Sequence, residues 1–270
     1  MVNWLAKYLT IFKMSWQNTF VYRLGFLAWR LRSLILLLSL YFFWLAVYQF
    51  NVSISGYSQS VMLTYIIFTS IIKAVVFSSR SNQVAVDIAT GDLSNYLLKP
   101  VKYFIWMVFL DLGDKASNLF FLIFELILLL VLLKPPLFIQ TSLIYLISFL
   151  VFLVLASFIY FYLNLLISLT SFWYPEHNGW PAKFLFSILV DFFCGGILPL
   201  DILPQPVFSL LKFLPSSYFL FYPLQVYLGR ISGLGLIYVL GFMVFWTLAL
   251  RSVVNFIWLK GLKSYQAVGR

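Results

Sequence analysis

Six apolar stretches, each long enough to cross a bilayer, recur along the chain between clusters of polar and charged residues. The hydrocarbon core of a bilayer is about 30 Å thick, and a helix of about 20 apolar residues spans it. The pattern therefore predicts an all-α polytopic membrane protein with six transmembrane helices. The predicted spans cover residues 33–50, 61–77, 116–133, 142–170, 184–200 and 234–250.

Residues 3–22 have a different pattern, because apolar and polar positions alternate there at helical spacing. One side of the predicted helix carries large apolar residues and the other side carries polar ones. The apolar set is Trp4, Leu5, Tyr8, Leu9, Phe12, Trp16 and Phe20, and the polar set is Asn3, Lys7, Thr10, Lys13 and Gln17. A helix divided in this way lies in the headgroup region, so the segment is predicted to be an N-terminal interfacial amphipathic helix.

Two further segments are not predicted to span. Residues 78–114 join the second and third spans on the cytoplasmic side, and residues 199–233 join the fifth and sixth spans on the external side. The external segment is apolar, yet prolines interrupt it too often for one continuous helix. The prolines are Pro199, Pro204, Pro206, Pro215 and Pro223. Short helices entering the outer leaflet fit this pattern, which predicts a re-entrant hairpin between the fifth and sixth spans.

Composition supports lipid as the solvent of this chain. Of its 270 residues, 63% are hydrophobic and only 10% are charged, and the mean hydropathy is +0.99. A soluble domain carries roughly 25% charged residues, so this much apolar surface does not fit inside one soluble core. The whole chain, residues 1–270, is interpreted as a single transmembrane domain.

The basic residues set the predicted orientation. The net charge is +10, and with the N-terminus inside, all but three of the 18 Lys and Arg residues fall in or near cytoplasmic segments. The exceptions are Lys134, Lys212 and Arg230. This distribution follows the positive-inside rule and predicts that both termini are cytoplasmic. The positive charge is interpreted as contact with anionic membrane lipids, and no nucleic-acid partner is predicted.

Two acids fall inside predicted spans, Glu125 in the third and Asp191 in the fifth. Ionisable groups inside a membrane are costly and usually face a cavity or a partner. They are candidates for proton-relay or substrate contacts. Alternatively they are structural, paired with Arg30, Arg32 or a polar group such as Asn164 across helices.

The sequence contains no recognisable catalytic or nucleotide-binding motif. There is one cysteine, Cys194, and one histidine, His177, so no metal site is predicted. No G-x-x-x-x-G-K-[ST] stretch is present to bind nucleotide phosphates. The chain is therefore interpreted as a non-enzyme that binds no cofactor itself, driven either by a partner protein or by an ion gradient.

Three local patterns stand in order along the chain. Residues 87–100 read DIATGDLSNYLLKP, residues 195–204 read GGILPLDILP, and residues 261–269 read GLKSYQAVG. Together they resemble the membrane subunit of type-2 ABC exporters, a bacterial permease family whose ATPase is a separate polypeptide. In that family the corresponding stretches read G-x-L-x-x-x-L-L-x-P, G-x-x-x-P-L-x-x-x-P and G-L-x-x-Y-x-A-x-G. The Gly195–Gly196 pair leaves the alignment of the first glycine in the second stretch open.

The resemblance implies an export channel in the bacterial cytoplasmic membrane. Two such permease subunits, identical or paralogous, would sit on two copies of an ATPase that binds ATP and Mg. The cytoplasmic segment would be the coupling element, with Asp87, Gly91, Asp92, Leu93, Leu97, Lys99 and Pro100 as its candidate residues. The external re-entrant segment would include Gly195, Gly196, Pro199, Pro204 and Pro215.

The residues of this cytoplasmic segment suit a short docking helix. Asp92 is predicted to cap a helix from Leu93 to Leu98, Gly91 permits a sharp entry, and Pro100 ends it. Leu93 and Leu97 would share one side and enter a groove on the partner. The alternative interpretation is an amphipathic loop helix that rests on the membrane.

The apolar lining indicates a hydrophobic or amphipathic cargo. Two other functions were weighed from the sequence. A proton-coupled secondary transporter would use Glu125 and Asp191. A membrane-embedded lipid enzyme would need clustered nucleophiles or paired acids, but Asp87, Asp92, Asp111 and Asp114 have no associated histidine or metal motif.

Overall fold

A computed structural model describes residues 4–21, 23–50, 52–177 and 180–265 of the chain. Over these residues the protein is an assembly of α-helices with one two-stranded hairpin, β1 (Ser53–Ile54) and β2 (Tyr57–Ser58). The helices are α1 (Trp4–Val21), α2 (Arg23–Tyr48), α3 (Gln59–Val76), α4 (Ser81–Thr90), α5 (Leu93–Leu97), α6 (Tyr103–Leu133), α7 (Leu143–Leu169), α8 (Trp180–Phe193), α9 (Gln205–Leu211), α10 (Phe221–Tyr227) and α11 (Leu234–Ser264). Single 3-10 turns cover Thr170–Phe172, Pro175–His177, Leu200–Ile202 and Pro215–Tyr218.

The long helices run back and forth between two ends of the bundle. At one end, called the hairpin end here, β1–β2 lies against the segment around Asp201, and Gln140 between α6 and α7 bonds the carbonyl of Tyr227. At the other end, called the basic end, α4 and α5 lie beside the start of α6 and the last residues of α11. The described chain begins and ends at the basic end, as the predicted topology requires.

Length and hydropathy confirm the polytopic prediction. Within the described residues, five helical segments are long and apolar enough to cross a membrane: Leu24–Tyr48, Gln59–Thr90, Tyr103–Leu133, Leu143–Phe172 and Leu234–Ser264. They coincide with the first, second, third, fourth and sixth predicted spans to within two residues at the ends of the first and fourth, and contain the other three in full. The helices that contain the third and sixth predicted spans are α6 and α11. Both are much longer than predicted, because the helix continues through charged residues such as Asp111, Lys115 and Arg251 beyond its apolar part.

The fifth predicted span, residues 184–200, is wrong in its extent. The helix there, α8, has 14 residues and stops at Phe193. At 1.5 Å per residue it is about 21 Å long, less than the hydrocarbon thickness. Gly195 follows with a φ of +83°, and the Cys194 carbonyl accepts a hydrogen bond from the Phe221 amide, so the backbone leaves the helical path.

Short helices fill the segment that was predicted to be re-entrant. α9 and the stretch Pro215–Tyr227 are bent by 80° at the break between them. Pro204 directly precedes α9, and Pro215 opens the 3-10 turn that leads to α10. A proline at these positions starts a helix without losing a hydrogen bond, since the first N–H groups of a helix have no partner inside it. All residues of α10 are buried, mainly against α7.

α1 is a helix, as predicted, and it packs along α6. Tyr8, Ile11 and Ser15 form its buried stripe, whereas Lys13 and Gln17 are exposed. The Ser15 hydroxyl donates to the Leu110 carbonyl at 2.8 Å, and α6 accommodates this approach because Gly113 has no side chain there. Its position in the headgroup region stays a prediction.

Candidate functional site

The segment between α3 and α6 forms a compact unit at the basic end. α4 packs against α7. Gly91 ends α4 with a φ of +84°, a backbone conformation that residues other than glycine rarely adopt. The chain then turns directly into α5. The predicted roles of Gly91 as the turn and of Leu93 as the start of a short helix are consistent with this geometry, although α5 ends at Leu97, one residue earlier than expected.

Asp92 does not act as the predicted cap. Its backbone is helical, and its side chain makes no hydrogen bond to the first amides of α5. Its carboxylate instead accepts a hydrogen bond from the Thr90 hydroxyl at 2.8 Å. The Ser94 hydroxyl and amide both bond the Gly91 carbonyl, so local bonds on either side of Asp92 hold the turn.

Asp87 is buried and faces inward. Its carboxylate accepts hydrogen bonds from Gln83 at 3.0 Å and from the Tyr103 hydroxyl at 2.7 Å. Tyr103 is the first residue of α6, so Asp87 ties α4 to the start of α6. Asp87 is therefore buried in a contact between helices and does not lie on an exposed surface.

Two of the three sequence patterns meet at this place. The Tyr265 hydroxyl, from the last pattern, donates to the carbonyl of Gly91, from the first, at 2.9 Å. Gly261 lies against Phe172, and a methyl group at that position would be 2.2 Å from the Phe172 ring. The absence of a side chain at Gly261 thus lets α11 approach the end of α7 and brings Tyr265 to Gly91.

The apolar residues in and just after α5 differ in burial: Leu93 is the anchor, and Leu97 and Leu98 form an exposed tip. Leu93 is completely buried among residues of α4, α6 and α7, so the prediction that it enters a partner's groove together with Leu97 is wrong. Leu97 and Leu98 are 46% and 86% exposed, and Pro100 is also exposed. The Lys99 ammonium lies 4.4 Å from the centre of the Tyr96 ring, a cation–π contact that holds it beside this tip.

A network of charges lies where α4 joins α3. The Arg80 guanidinium binds both carboxylate oxygens of Asp114, and its backbone amide donates to Asp111 at 3.0 Å. Lys115 pairs with Asp111 at 2.9 Å and also donates to the Ser78 carbonyl. The two positive and two negative charges balance, and their contacts connect the segment before α4 to α6. The sequence analysis did not single out this network, whose members are far apart in the chain.

Glu125 is paired with Arg30, one of the two structural partners considered from the sequence. Arg30 Nε donates to Glu125 Oε1 at 2.7 Å, and Nη2 binds the other oxygen. The Arg30 side chain is 8% exposed and the Glu125 side chain is 19% exposed. Asn164 reaches neither predicted acid, because its amide bonds the Tyr160 carbonyl on its own helix.

Asp191 has a different environment. Its closest cation is Lys73 of α3, with 3.6 Å between Oδ1 and Nζ, and the two side chains are 53% and 34% exposed. Among the described residues of α8, only Val190 is buried. An exposed acid on a mostly apolar helix is a poor surface for lipid contact, because a charged side chain in hydrocarbon is costly.

The Gly195–Gly196 pair lies next to this ion pair, and each glycine has its own role. The Tyr65 hydroxyl donates to the Gly195 carbonyl at 2.6 Å, and a side chain at Gly195 would meet that hydroxyl. A methyl group at Gly196 would be 3.3 Å from Lys73 Nζ, so the lack of one leaves room for the lysine. The absence of a side chain at each glycine thus makes room for a different neighbour.

The hairpin end carries a second polar network that the sequence analysis missed. The Tyr57 hydroxyl donates to Asp201 at 2.8 Å and accepts from Gln225, and the Arg230 guanidinium lies 3.8 Å from the Tyr57 ring centre. Burial, followed by the nearby Asp201 carboxylate, raises the pKa of Tyr57, so its hydroxyl stays protonated as a donor. This network links the loop after α2 to both sides of the re-entrant segment.

Comparison with known families decides the class of the protein. The family model described as ABC-2 family transporter protein matches residues 34–269, most of the chain. The chain belongs to this family. It is therefore a membrane subunit of an ABC transporter, and membership implies a partner ATPase. A comparison with curated proteins returned no match.

The family match covers all three sequence patterns and every candidate site residue. α1, which begins before residue 34, lies outside the matched range. The resemblance drawn from the three patterns is thus confirmed at the level of the family. The roles of the individual site residues stay predictions.

Proposed function

We propose that the protein is the permease subunit of an exporter in the bacterial cytoplasmic membrane, and that the partner ATPase binds ATP and Mg and docks on the tip of α5. The observation that carries this proposal is the exposed pair Leu97–Leu98 on a helix anchored by Leu93. An exposed apolar tip on a fixed base suits a groove of a partner protein.

The anchor contacts give the tip a mechanical connection to the spanning helices. Leu93 packs into the cluster shared by α4, α6, α7 and α11, and Asp87 and Gly91 bind α6 and the end of α11. Force applied at Leu97 and Leu98 therefore reaches several spans at once. In this proposal, ATP binding by the partner moves the tip and thereby rearranges the spans.

The basic end is assigned to the cytoplasm because it carries most of the positive charge. The export direction rests on the resemblance to type-2 exporter subunits. The cargo is proposed to be hydrophobic or amphipathic, since the exposed surface of α8 is apolar apart from Ser187 at its middle and Lys183 and Asp191 towards its two ends. A second permease subunit, identical or paralogous, is proposed to cover α8 and thereby keep Asp191 away from lipid.

A proton-coupled mechanism finds less support. Glu125 is held by two hydrogen bonds from Arg30, and Asp191 has Lys73 nearby, so neither acid lies alone at a site suited to carrying a proton. Family membership points to nucleotide hydrolysis by a partner as the energy source.

The docking proposal is tested with Leu98→Glu in the full chain, co-expressed with the partner ATPase. We expect the recovered ATPase to fall by about tenfold, because truncation or charging of a central contact residue weakens an interface strongly. Val52→Glu is the matched control, since Val52 is 94% exposed and lies at the hairpin end. Retention of the ATPase by Leu98→Glu, or an equal loss in Val52→Glu, would contradict the proposal.

A further inference from the structure

A cleft of about 540 Å³ opens at the basic end between α1, α2, α4 and α6. One wall comes from α1 and α2 and includes Asn18, Gly25 and Trp29. The opposite wall includes Arg80, Asp114 and Asn118. The volume lies in the range of small-ligand sites, which is about 300 to 1,000 Å³.

The cleft lies at the depth of lipid headgroups. α3 has 18 residues and is therefore about 27 Å long, close to the hydrocarbon thickness. It starts next to the β1–β2 hairpin and ends at Val76, four residues before Arg80, so an 18-residue span brings this part of the chain to the opposite membrane boundary. Arg80 and the cleft therefore lie where headgroups meet the hydrocarbon.

The walls of the cleft match the two parts of a lipid. On the α2 side, the rings of Phe26 and Trp29 line the cleft and offer apolar surface to the start of the acyl chains. At the mouth, Trp29 is 56% exposed. An aromatic residue at this level is typical of membrane interfaces, where an apolar ring meets polar headgroups.

The floor of the cleft offers charges of both signs and unused hydrogen-bonding groups. Arg80 binds Asp114 through Nε and Nη2, which leaves Nη1 without a partner among the described residues. The Asn18 amide likewise makes no hydrogen bond within the described part of the chain, and Asn118 uses only its donor side. Arg32 lies outside the lining of the cleft, with its guanidinium 5.2 Å from the centre of the Trp29 ring.

We propose that this cleft binds the zwitterionic headgroup of a membrane phospholipid, which is held as a resident lipid of the permease. A headgroup with a phosphate and an ammonium group meets Arg80 and Asp114 without leaving either charge unbalanced. The neighbouring Asp111–Lys115 pair adds no net charge. No described residue of α8 lines the cleft, so it is separate from the proposed cargo route. The proposal rests on the proposed orientation only in placing the lipid in the cytoplasmic leaflet.

The structure provides a filling variant that leaves the ion pairs intact. A Cβ atom at Gly25 would meet nothing within 4 Å, so the side chain of Gly25→Leu starts in open space and extends into the cleft. Gly241→Leu is the matched control. It also meets nothing within 4 Å, and it fills a separate apolar groove on α11.

Native mass spectrometry of the full chain in detergent, titrated with phosphatidylethanolamine and phosphatidylglycerol, tests the site. We expect the first phosphatidylethanolamine to bind more tightly than phosphatidylglycerol, and Gly25→Leu to weaken it by about tenfold, whereas Gly241→Leu leaves it unchanged. Asn18→Leu, which removes an unpaired amide, should weaken binding in the same way. Unchanged affinity in both cleft variants, an equal loss in Gly241→Leu, or a first site that prefers phosphatidylglycerol would overturn the proposal.

A second experiment separates a resident lipid from a transported one. The permease and its ATPase are reconstituted in vesicles with labelled phosphatidylethanolamine, and the labelled lipid on each side is measured before and after ATP addition. We expect the distribution of labelled phosphatidylethanolamine after ATP addition to be the same for the unchanged permease and for Gly25→Leu. ATP-driven transfer that Gly25→Leu abolishes would identify the bound lipid as cargo and overturn its assignment as resident.

Discussion

Glu125 and Asp191 look alike in the sequence, since each is a single acid in an apolar stretch, but the structure gives them opposite environments. Glu125 and its partner Arg30 are 19% and 8% exposed and share two hydrogen bonds. Asp191 and its partner Lys73 are 53% and 34% exposed and lie 3.6 Å apart. The first pair is a fixed structural connection between α2 and α6. The second lies on an open surface where it can exchange partners.

The comparison teaches that a charge inside a predicted span is not by itself a functional signal. Removing one member of a buried pair leaves the other charge unsatisfied, whereas an exposed pair contributes little. A third pair, Arg230–Asp201, is intermediate, with side chains 27% and 24% exposed. Stability should therefore depend on the acids in the order Glu125, Asp201, Asp191.

The largest effect is expected for Glu125→Gln. The variant leaves the Arg30 guanidinium buried without a counter-charge, so the free energy of unfolding should fall by about 3 to 5 kcal/mol. Thermal unfolding of the purified permease in detergent measures this.

The double variant Arg30→Met with Glu125→Leu is the control for this prediction. It removes both charges and keeps apolar volume, so it should recover most of the lost stability. If the double variant is as unstable as Glu125→Gln, the charge explanation is wrong, and the loss of stability comes from packing at this site.

A smaller effect is expected for Asp201→Asn at the hairpin end. The asparagine oxygen still accepts from the Tyr57 hydroxyl, but the charge opposite Arg230 is lost, so stability should fall by about 1 kcal/mol. The same thermal assay applies, with Tyr57→Phe as the companion variant because it removes the shared hydroxyl and keeps the ring. A loss as large as that of Glu125→Gln would break the proposed order.

The smallest effect on stability, below about 1 kcal/mol, is expected for Asp191→Asn, because the carboxylate is half exposed and its contact is long. Transport, in contrast, should fall several-fold if this surface lies on the cargo route. Cargo transport in vesicles, normalised to the amount of assembled complex, separates the two effects. Unchanged transport would remove Asp191 from the candidate residues, and a large loss of stability would end its contrast with Glu125.

The sequence alone determined the membrane class, five of the six predicted spans and the short helix after Gly91. These features depend on local hydropathy and on backbone conformations that few residues permit, and both can be read from a single stretch of chain. The resemblance to ABC-2 permeases also came from local patterns, and the family match confirms it. The end of α8 was missed because Gly195 breaks the helix inside an apolar run that hydropathy alone treats as continuous.

Only the tertiary structure decided which polar groups meet. Arg30 and Glu125 are 95 residues apart, Tyr57 and Gln225 are 168 apart, and Gly91 and Tyr265 are 174 apart. No local pattern specifies such contacts, because they depend on which helices pack together and at what height. The same reason explains why Leu93, which shares its pattern with Leu97, is buried as an anchor while Leu97 is exposed at the tip. Hydropathy specified that the helices enter the membrane, and packing between them determined the role of each polar side chain.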